Sequence, residues 1–496
     1  MVSWSAQYLV LQSIIRNIFF VLALLSLAGY AQFRFDGEHT QLPQGCDEFG
    51  YLQLANQWSN QSVGTQPGFK ENLVNHLENE GFDYRDYGWM IAPHAHHWHQ
   101  ESAQVINQYP PALSWMLSWF PKEQRQIWFP GIMAVINSIP LLIIGLFYFN
   151  KPHHQLLLVV FLGSLFFFPP TEIEFTRINS LAPTFSWLLA AGLLFRSHPW
   201  ASTVMASVSL IFRSANVIFI GVFWIVNFVL QRRFDKKSFV SLFVQGALLL
   251  VGMVPTMGYQ KWLLDDFFAP TYSIIDQSFS GFQQLGSHLS FYFIDEPYWV
   301  LPMPLILLAI YFFTRHSQGR YRLIALCVAW SFLMGFFLFH EVTIYYYPYA
   351  AVLFGGGVLL PYIFQKINRI NRFDWLPLVY LIPIIYSLFK LEKTPNVESE
   401  YPYQQCFSSE VIWSDLRSGT VEYTTDALGF RYSWGNTNAR DQIILWLAQN
   451  NHKQAFWLED LEVSEVELKT SIEQLGLHLK TRNCELGKLL IVENDR

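Results

Sequence analysis

An all-α polytopic membrane protein with a small external α/β domain at its C-terminus is the fold class this sequence predicts. Three observations carry it. Charge is scarce: 14% of the 496 residues are charged and 52% are hydrophobic, where a soluble chain of this length carries about 25% charge. The apolar residues gather in runs such as LLIIGLFYF, LLLVVFLGSLFFF and LLAAGLLF, several of them close to the roughly 20 residues that span a hydrocarbon core. Finally, the composition turns polar near residue 391 and stays so.

Apolar spans are expected at roughly 15–33, 127–149, 155–170, 178–195, 199–212, 214–230, 239–258, 298–313, 323–339, 344–365 and 375–390, about 11 transmembrane helices in all. The segment Asn17 to Phe33 has the length of a signal peptide, but no small-x-small cleavage site follows it and many spans do, so it reads as the first helix. The pair 199–212 and 214–230 is either two helices or one helix kinked at Arg213.

Charge asymmetry orients these spans. With the N-terminus in the cytoplasm, the inside connections hold thirteen basic residues: Arg16, Lys151, Arg196, Arg232, Arg233, Lys236, Lys237, Arg315, Arg320, Arg322, Lys366, Arg369 and Arg372. The outside segments of the membrane part hold eight: Arg34, Lys70, Arg85, Lys122, Arg125, Arg177, Arg213 and Lys261. The expected organisation is a transmembrane domain over 1–390, with large external loops at 34–126 and 259–297, and an external domain over 391–496. In that domain an amphipathic stretch at Asp441–Gln449, a strand at Ala455–Glu459, a helical pattern at Ser464–Leu475 and a closing strand at Leu489–Glu493 read as a small α/β unit.

A net charge of −6 without a basic stripe gives no sign of nucleic acid. Four cysteines without a C-x-x-C pair form neither a disulfide scaffold nor a zinc or thioredoxin motif. Cys406 and Cys484 stand alone in the external tail, where an oxidising compartment favours their pairing.

Soon after the first span the chain reads GCDEFGYLQLANQWSN. Tyr51, Leu54, Ala55 and Trp58 recur at helical spacing, and Asp47 and Glu48 fall at the helix start, where negative charge is favoured. Such a helix is expected to lie along the membrane surface with its aromatics in the interface. The pair is either a cap for that helix or a reactive site. Arg213 at a span mouth is either functional or snorkelling to the interface, and Arg177 is spaced to pair with Glu174 at i, i+3. His340 and Glu341, followed by Tyr345, Tyr346 and Tyr347, read as an aromatic belt or as a wall of a phosphate site. His94, His96, His97 and His99 are dense enough to suggest a divalent cation, although no Cys or carboxylate stands at zinc-like spacing. Gly355-Gly-Gly357 lies within a span and suits close helix packing.

The acidic pair in the first external loop and its helix resemble the GT-C glycosyltransferases, polytopic enzymes that take a sugar from a polyprenyl-phosphate carrier. Asn107-Gln-Tyr-Pro-Pro-Ala-Leu113 is similar to their Tyr-Pro-Pro segment, Glu174-Phe-Thr-Arg-Ile-Asn-Ser180 to their second external loop, and Phe339-His-Glu-Val-Thr-Ile-Tyr-Tyr-Tyr-Pro348 to their late His…Tyr-Tyr…Pro element. The second acidic residue, commonly Asp in that family, is Glu172 or Glu174 here. Within the family the chain resembles the bacterial aminoarabinose-transferase and protein O-mannosyltransferase-like group.

The resemblance implies a GT-C-like fold in a bacterial inner membrane with its site facing the periplasm. It implies catalytic roles for Asp47, Glu48 and Glu174, and substrate or phosphate contacts for Arg177, Arg213, His340, Tyr346 and Tyr109. The partners it implies are a polyprenyl-phosphate-linked sugar, membrane lipids, and a lipid, glycan or protein acceptor. Some members use a divalent cation and others do not. A transporter or flippase of a lipid-linked substrate, which would show charges within spans, a polysaccharide polymerase or ligase, and a non-catalytic assembly partner are the rival classes.

Overall fold

A computed structural model of the chain describes residues 13–23, 46–59, 69–100, 103–148, 178–231, 236–268, 285–291, 346–367 and 401–493, with isolated positions between them. About half of the expected span at 15–33, most of that at 155–170, the whole of those at 298–313 and 375–390, and nearly all of that at 323–339 lie outside the described residues. Among the described residues two helices are long and apolar enough to cross a membrane, Lys122–Tyr148 and Ser238–Leu264, and shorter apolar helices cover Ser13–Ala23, Ala182–Leu194, Pro199–Phe212 and Ala350–Leu359.

The apolar part is built from α1 (Ser13–Ala23), α5 (Arg125–Ile143), α6 (Phe185–Leu194), α7 (Pro199–Phe212), α8 (Val217–Gln231), α9 (Lys236–Leu264) and α10 (Tyr346–Ile367). The alternative left open at Arg213 resolves into two helices. Arg213 is extended (φ −146°, ψ 93°), which ends α7 before α8 begins.

Packing between these helices follows small residues and satisfied polar groups. A Cβ on Gly192 of α6 would stand 3.0 Å from the Gly357 Cα of α10, so the two backbones touch where the triple glycine falls. Asn137 of α5 donates to the Ala182 carbonyl (2.8 Å) and accepts from the Ser186 amide (2.9 Å), serving a buried helix start that has no water to serve it.

The long first loop is not a plain polar connection. It folds into α2 (Cys46–Trp58), α3 (Phe69–Asn79), an antiparallel hairpin of β1 (His96–His99) and β2 (Gln104–Asn107), and α4 (Pro111–Leu117), which opens on Pro at its first turn. Helix α2 does not lie on an open surface as expected. Phe49, Tyr51, Leu52, Leu54 and Ala55 are all buried. The reason is that α4 packs on one side of it, while Phe49 is pressed against Gly419 of the C-terminal domain on another.

The C-terminal domain comprises α11 (Tyr401–Cys406), β3 (Val411–Ser414), α12 (Ser418–Thr424), β4 (Leu428–Arg431), α13 (Thr437–Gln449), β5 (Gln454–Trp457), α14 (Glu465–Gln474), β6 (His478–Cys484) and β7 (Gly487–Glu493). Its five strands run in the order β4-β3-β5-β7-β6. The first three are parallel, and β7 is antiparallel to both β5 and β6. The order β4-β3-β5 means the chain winds outward from β3 and then returns to its other side, the doubly wound pattern. The expected strand at Ala455–Glu459 ends two residues sooner, and the closing strand begins at Gly487.

Cys406 and Cys484, separated by 78 positions in sequence, form a disulfide that ties α11 to the end of β6. Replacing either with Ser should destabilise the domain by about 2–5 kcal/mol. Denaturant unfolding of the full chain with and without reductant checks this. An identical midpoint in both conditions would show that the bond contributes nothing.

One of the domain's two core clusters is shared with the first loop, while the other, around Tyr403, Ile412 and Trp457, is its own. Leu73, Leu77, Tyr87, Ile91 and Trp98 of the first loop form one cluster with Val411, Trp413, Phe430, Ile443 and Phe456. Lys70 of α3 and Glu422 of α12 are buried together at this seam. Burial lowers the lysine pKa and raises that of the glutamate, and each charge partly offsets the effect of burial on the other.

Candidate active site

The site is organised by the first turn of α2. Asp47 and Glu48 both stand in that turn, at the positive end of the helix dipole. Both carboxylates have partners far away in sequence. Asp47 Oδ1 accepts from the Tyr109 hydroxyl at 2.5 Å, and Glu48 Oε1 accepts from the Ile178 amide at 3.2 Å. The opposite end of α2 is held by Arg125, fully buried, which donates to the Asn56 side chain and to the Ser59 hydroxyl. Acid at one end and base at the other fit the helix dipole.

Tyr109 stacks on Tyr51 with ring centroids 4.8 Å apart. A Cβ on Gly50 would lie 2.4 Å from the Tyr109 ring, so only glycine lets the phenol reach Asp47 from this side. Tyr109, expected to contact substrate, rests its hydroxyl on the Asp47 carboxylate.

The segment that Glu48 holds leads to the cation. Ile178 is followed by Asn179, whose Oδ1 accepts from the amides of Leu181 and Ala182 at 2.9 Å each, a tight polar turn. Ser180 then accepts from Arg213 Nη1 at 2.8 Å. Asp47, Glu48, Tyr109 and Arg213 are therefore joined through α2 and residues 178–180. Glu174, Arg177 and His340 lie outside the described residues. Tyr346 is the first residue of α10, and nothing is described of its side chain.

The histidines do not gather as a cation site. Among the described residues no three His, Cys, Asp or Glu side chains stand together as a metal would require. His94 Nδ1 bonds the Leu416 carbonyl (3.2 Å), and His96 bonds the His94 carbonyl and Asn107. The physical reason is strand alternation: consecutive residues of β1 face opposite sides, so His97 and His99 share one face and His96 takes the other. Burial, helped by the nearby Arg431 charge, pushes His94, His96 and His97 down to about 3, which leaves them neutral. Both ring nitrogens of His97 are buried without a hydrogen-bond partner among the described residues. Among the described residues the histidines offer no shared set of ligands for a divalent cation, and no step below uses one.

Arg431 had no sequence signal. It closes β4, is fully buried, and donates through Nε to the Trp89 carbonyl (2.8 Å) and through Nη2 to the His96 carbonyl (2.8 Å). Its guanidinium lies 4.6 Å from the Trp89 ring and 5.0 Å from that of Trp434. Beside it, Ser418 accepts from the His94 amide at 3.0 Å. The carboxyl ends of parallel strands, where doubly wound sheets take their ligands, are here seated on the first loop.

No family model matches the sequence, and no curated protein matches it. Among solved structures, the crystal structure of ArnT from Cupriavidus metallidurans in the apo state is similar, with 11% sequence identity, 99% of both chains covered and a TM-score of 0.52. Its match extends over both the apolar helices and the C-terminal sheet. The chain thus shares the fold of ArnT.

Proposed function

We propose that the protein is a membrane glycosyltransferase that moves a sugar from a polyprenyl-phosphate carrier to an acceptor on the external, periplasmic face of a bacterial inner membrane. The observation that carries the reading is the joining of Asp47, Glu48 and Tyr109 to Arg213 through residues 178–180, in a chain with the fold of ArnT. In the reaction the acceptor hydroxyl attacks the anomeric carbon and gives its proton to the Asp47 carboxylate. The bond to the carrier phosphate breaks, the phosphate oxygen leaves with the electron pair, and Arg213 meets the charge that develops there.

The surroundings suit a lipid-linked donor. Trp115, Trp119, Trp128 and Trp262 are exposed near α4 and the adjoining ends of α5 and α9, as in the aromatic belts of membrane proteins. Gln104 of the first loop donates to the Leu263 carbonyl at the end of α9, which puts these ends on one side of the molecule. In this reading the lipid phosphate at the belt is met by Arg213, and the acceptor is a lipid, a glycan or a protein.

Mass spectrometry of envelope glycans from cells with and without the protein tests the reading. A sugar lost from one class of glycan names donor and acceptor together. Identical glycans, with no release of polyprenyl phosphate by the purified protein, would overturn it. Arg213→Ala should lower kcat/KM for the lipid-linked donor by about 10²-fold and leave the acceptor KM unchanged, as measured by initial rates in detergent. An effect on the acceptor alone would move Arg213 out of the phosphate site.

A further inference from the structure

We propose that Asn107 is a positioning residue through which the C-terminal domain holds the Asp47–Tyr109 pair in place. Only its expected effect on rate rests on the transferase reading. Asn107 ends β2, two residues before Tyr109, and is buried. Its Oδ1 accepts from the Tyr109 amide at 2.8 Å, and its Nδ2 donates to the Gly50 carbonyl at 2.6 Å. A backbone N–H only donates and a carbonyl only accepts, so these two contacts fix which end of the amide is which.

The second Nδ2 hydrogen is then directed at His96 Nε2, 3.2 Å away, and that nitrogen must accept. His96 therefore carries its proton on Nδ1, from which it donates to the His94 carbonyl at 3.3 Å. The neutral ring that burial enforces agrees with this tautomer. The carbonyl of the same His96 accepts from Arg431 Nη2 at 2.8 Å.

An unbroken series of contacts thus runs from Arg431 at the end of β4, through His96 and Asn107, to both supports of the site. One is Gly50, in the opening turns of α2 beside Asp47. The other is Tyr109, whose hydroxyl meets Asp47. The series asks for one acceptor and two donors on a short side chain, which asparagine supplies. Asp would set a carboxylate against the Gly50 carbonyl, and Ala would leave both backbone groups without their partner. Groups that only orient a reactive side chain act by fixing its rotamer.

The test uses the full-length protein in detergent, with 3-fluorotyrosine replacing Tyr109 and its fluorine resonance followed by NMR. Introducing Asp47→Asn moves the resonance, because a bond to a carboxylate becomes a bond to an amide. Asn107→Ala is expected to move it in the same direction, and Asp47→Asn added to Asn107→Ala should then move it little further. An unmoved resonance in folded Asn107→Ala, or full additivity of the two changes, overturns the proposal. If Asn107→Ala does not fold, His96→Phe takes its place. That variant removes the acceptor of the second Nδ2 hydrogen together with the bond to the His94 carbonyl, and keeps a ring against Phe49. A smaller displacement is expected of it, and none again overturns the proposal.

The spectrum reads the pair whether or not sugar is transferred. An inactive wild-type protein would therefore sink the transferase reading and leave this one standing. In the transfer assay Asn107→Ala should lower kcat by roughly 10–100-fold with the donor KM unchanged, and an effect confined to KM counts against positioning.

Discussion

Asp47→Asn is expected to lower transfer by about 10²–10⁴-fold while the protein remains folded and inserted. Asn has nearly the volume of Asp and is as good at a helix start. Its Oδ1 can still accept from the Tyr109 hydroxyl, so the contact at 2.5 Å keeps its geometry. What Asn cannot do is take a proton from an acceptor. A residue that merely starts a helix would tolerate the change, which makes the variant decisive between the two roles. Glu48→Gln is the companion. Its carboxylate holds the Ile178 amide, a task that a side-chain amide oxygen also performs, so its loss should be much smaller. Product formation by purified variants at matched expression and melting temperature is the measurement. Wild-type turnover in Asp47→Asn would end the base assignment and turn attention to Glu174.

Arg431→Met should have the largest effect on stability of any change in the C-terminal domain, roughly 3–5 kcal/mol. The substitution leaves the carbonyls of Trp89, Ala92 and His96 buried without the donor they now share. It also removes the cation from between Trp89 and Trp434, where such contacts contribute about 0.5–2 kcal/mol. Replacing a whole buried ion pair by apolar residues is often neutral, but here only one side of the interaction is taken away. Arg431→Lys keeps the charge but not the planar fork, so it should fall between wild type and Met. Thermal unfolding of the purified protein, with limited proteolysis of the 89–107 segment, measures the loss. Unchanged melting and an uncut loop in Arg431→Met would show that the domain is held to the first loop by other means.

Local features of the site were legible in the sequence. Two acids ahead of an apolar pattern at helical spacing foretold α2. The α/β character of the tail and the helix at Ser464–Leu475 followed from periodicity, and in the structure Ser464 opens that helix with a complete capping box. What the sequence does not display is pairing across distance. Arg431 and His96 are 335 residues apart, and no periodicity links them. The burial of α2 was missed because its covering comes from the tail, not from the membrane surface. The histidines were read as a cluster because composition ignores the alternation of a strand.

The shared core of the first loop and the C-terminal domain has a consequence for biosynthesis. The Ser418 hydroxyl and the His94 amide are separated by 324 residues. At about 5–20 residues per second, roughly 15–65 s pass between their syntheses. During that interval Leu73, Leu77, Tyr87 and Trp98 are made but have no sheet to cover them. The segment around the acidic pair therefore stays immature until the last part of the chain has been synthesised and docked. A chain cut short before β3 would lack the strands that cover these residues and the Gly419 segment against Phe49. Docking of the 401–493 sheet is thus the late step that completes the packing around the acidic pair.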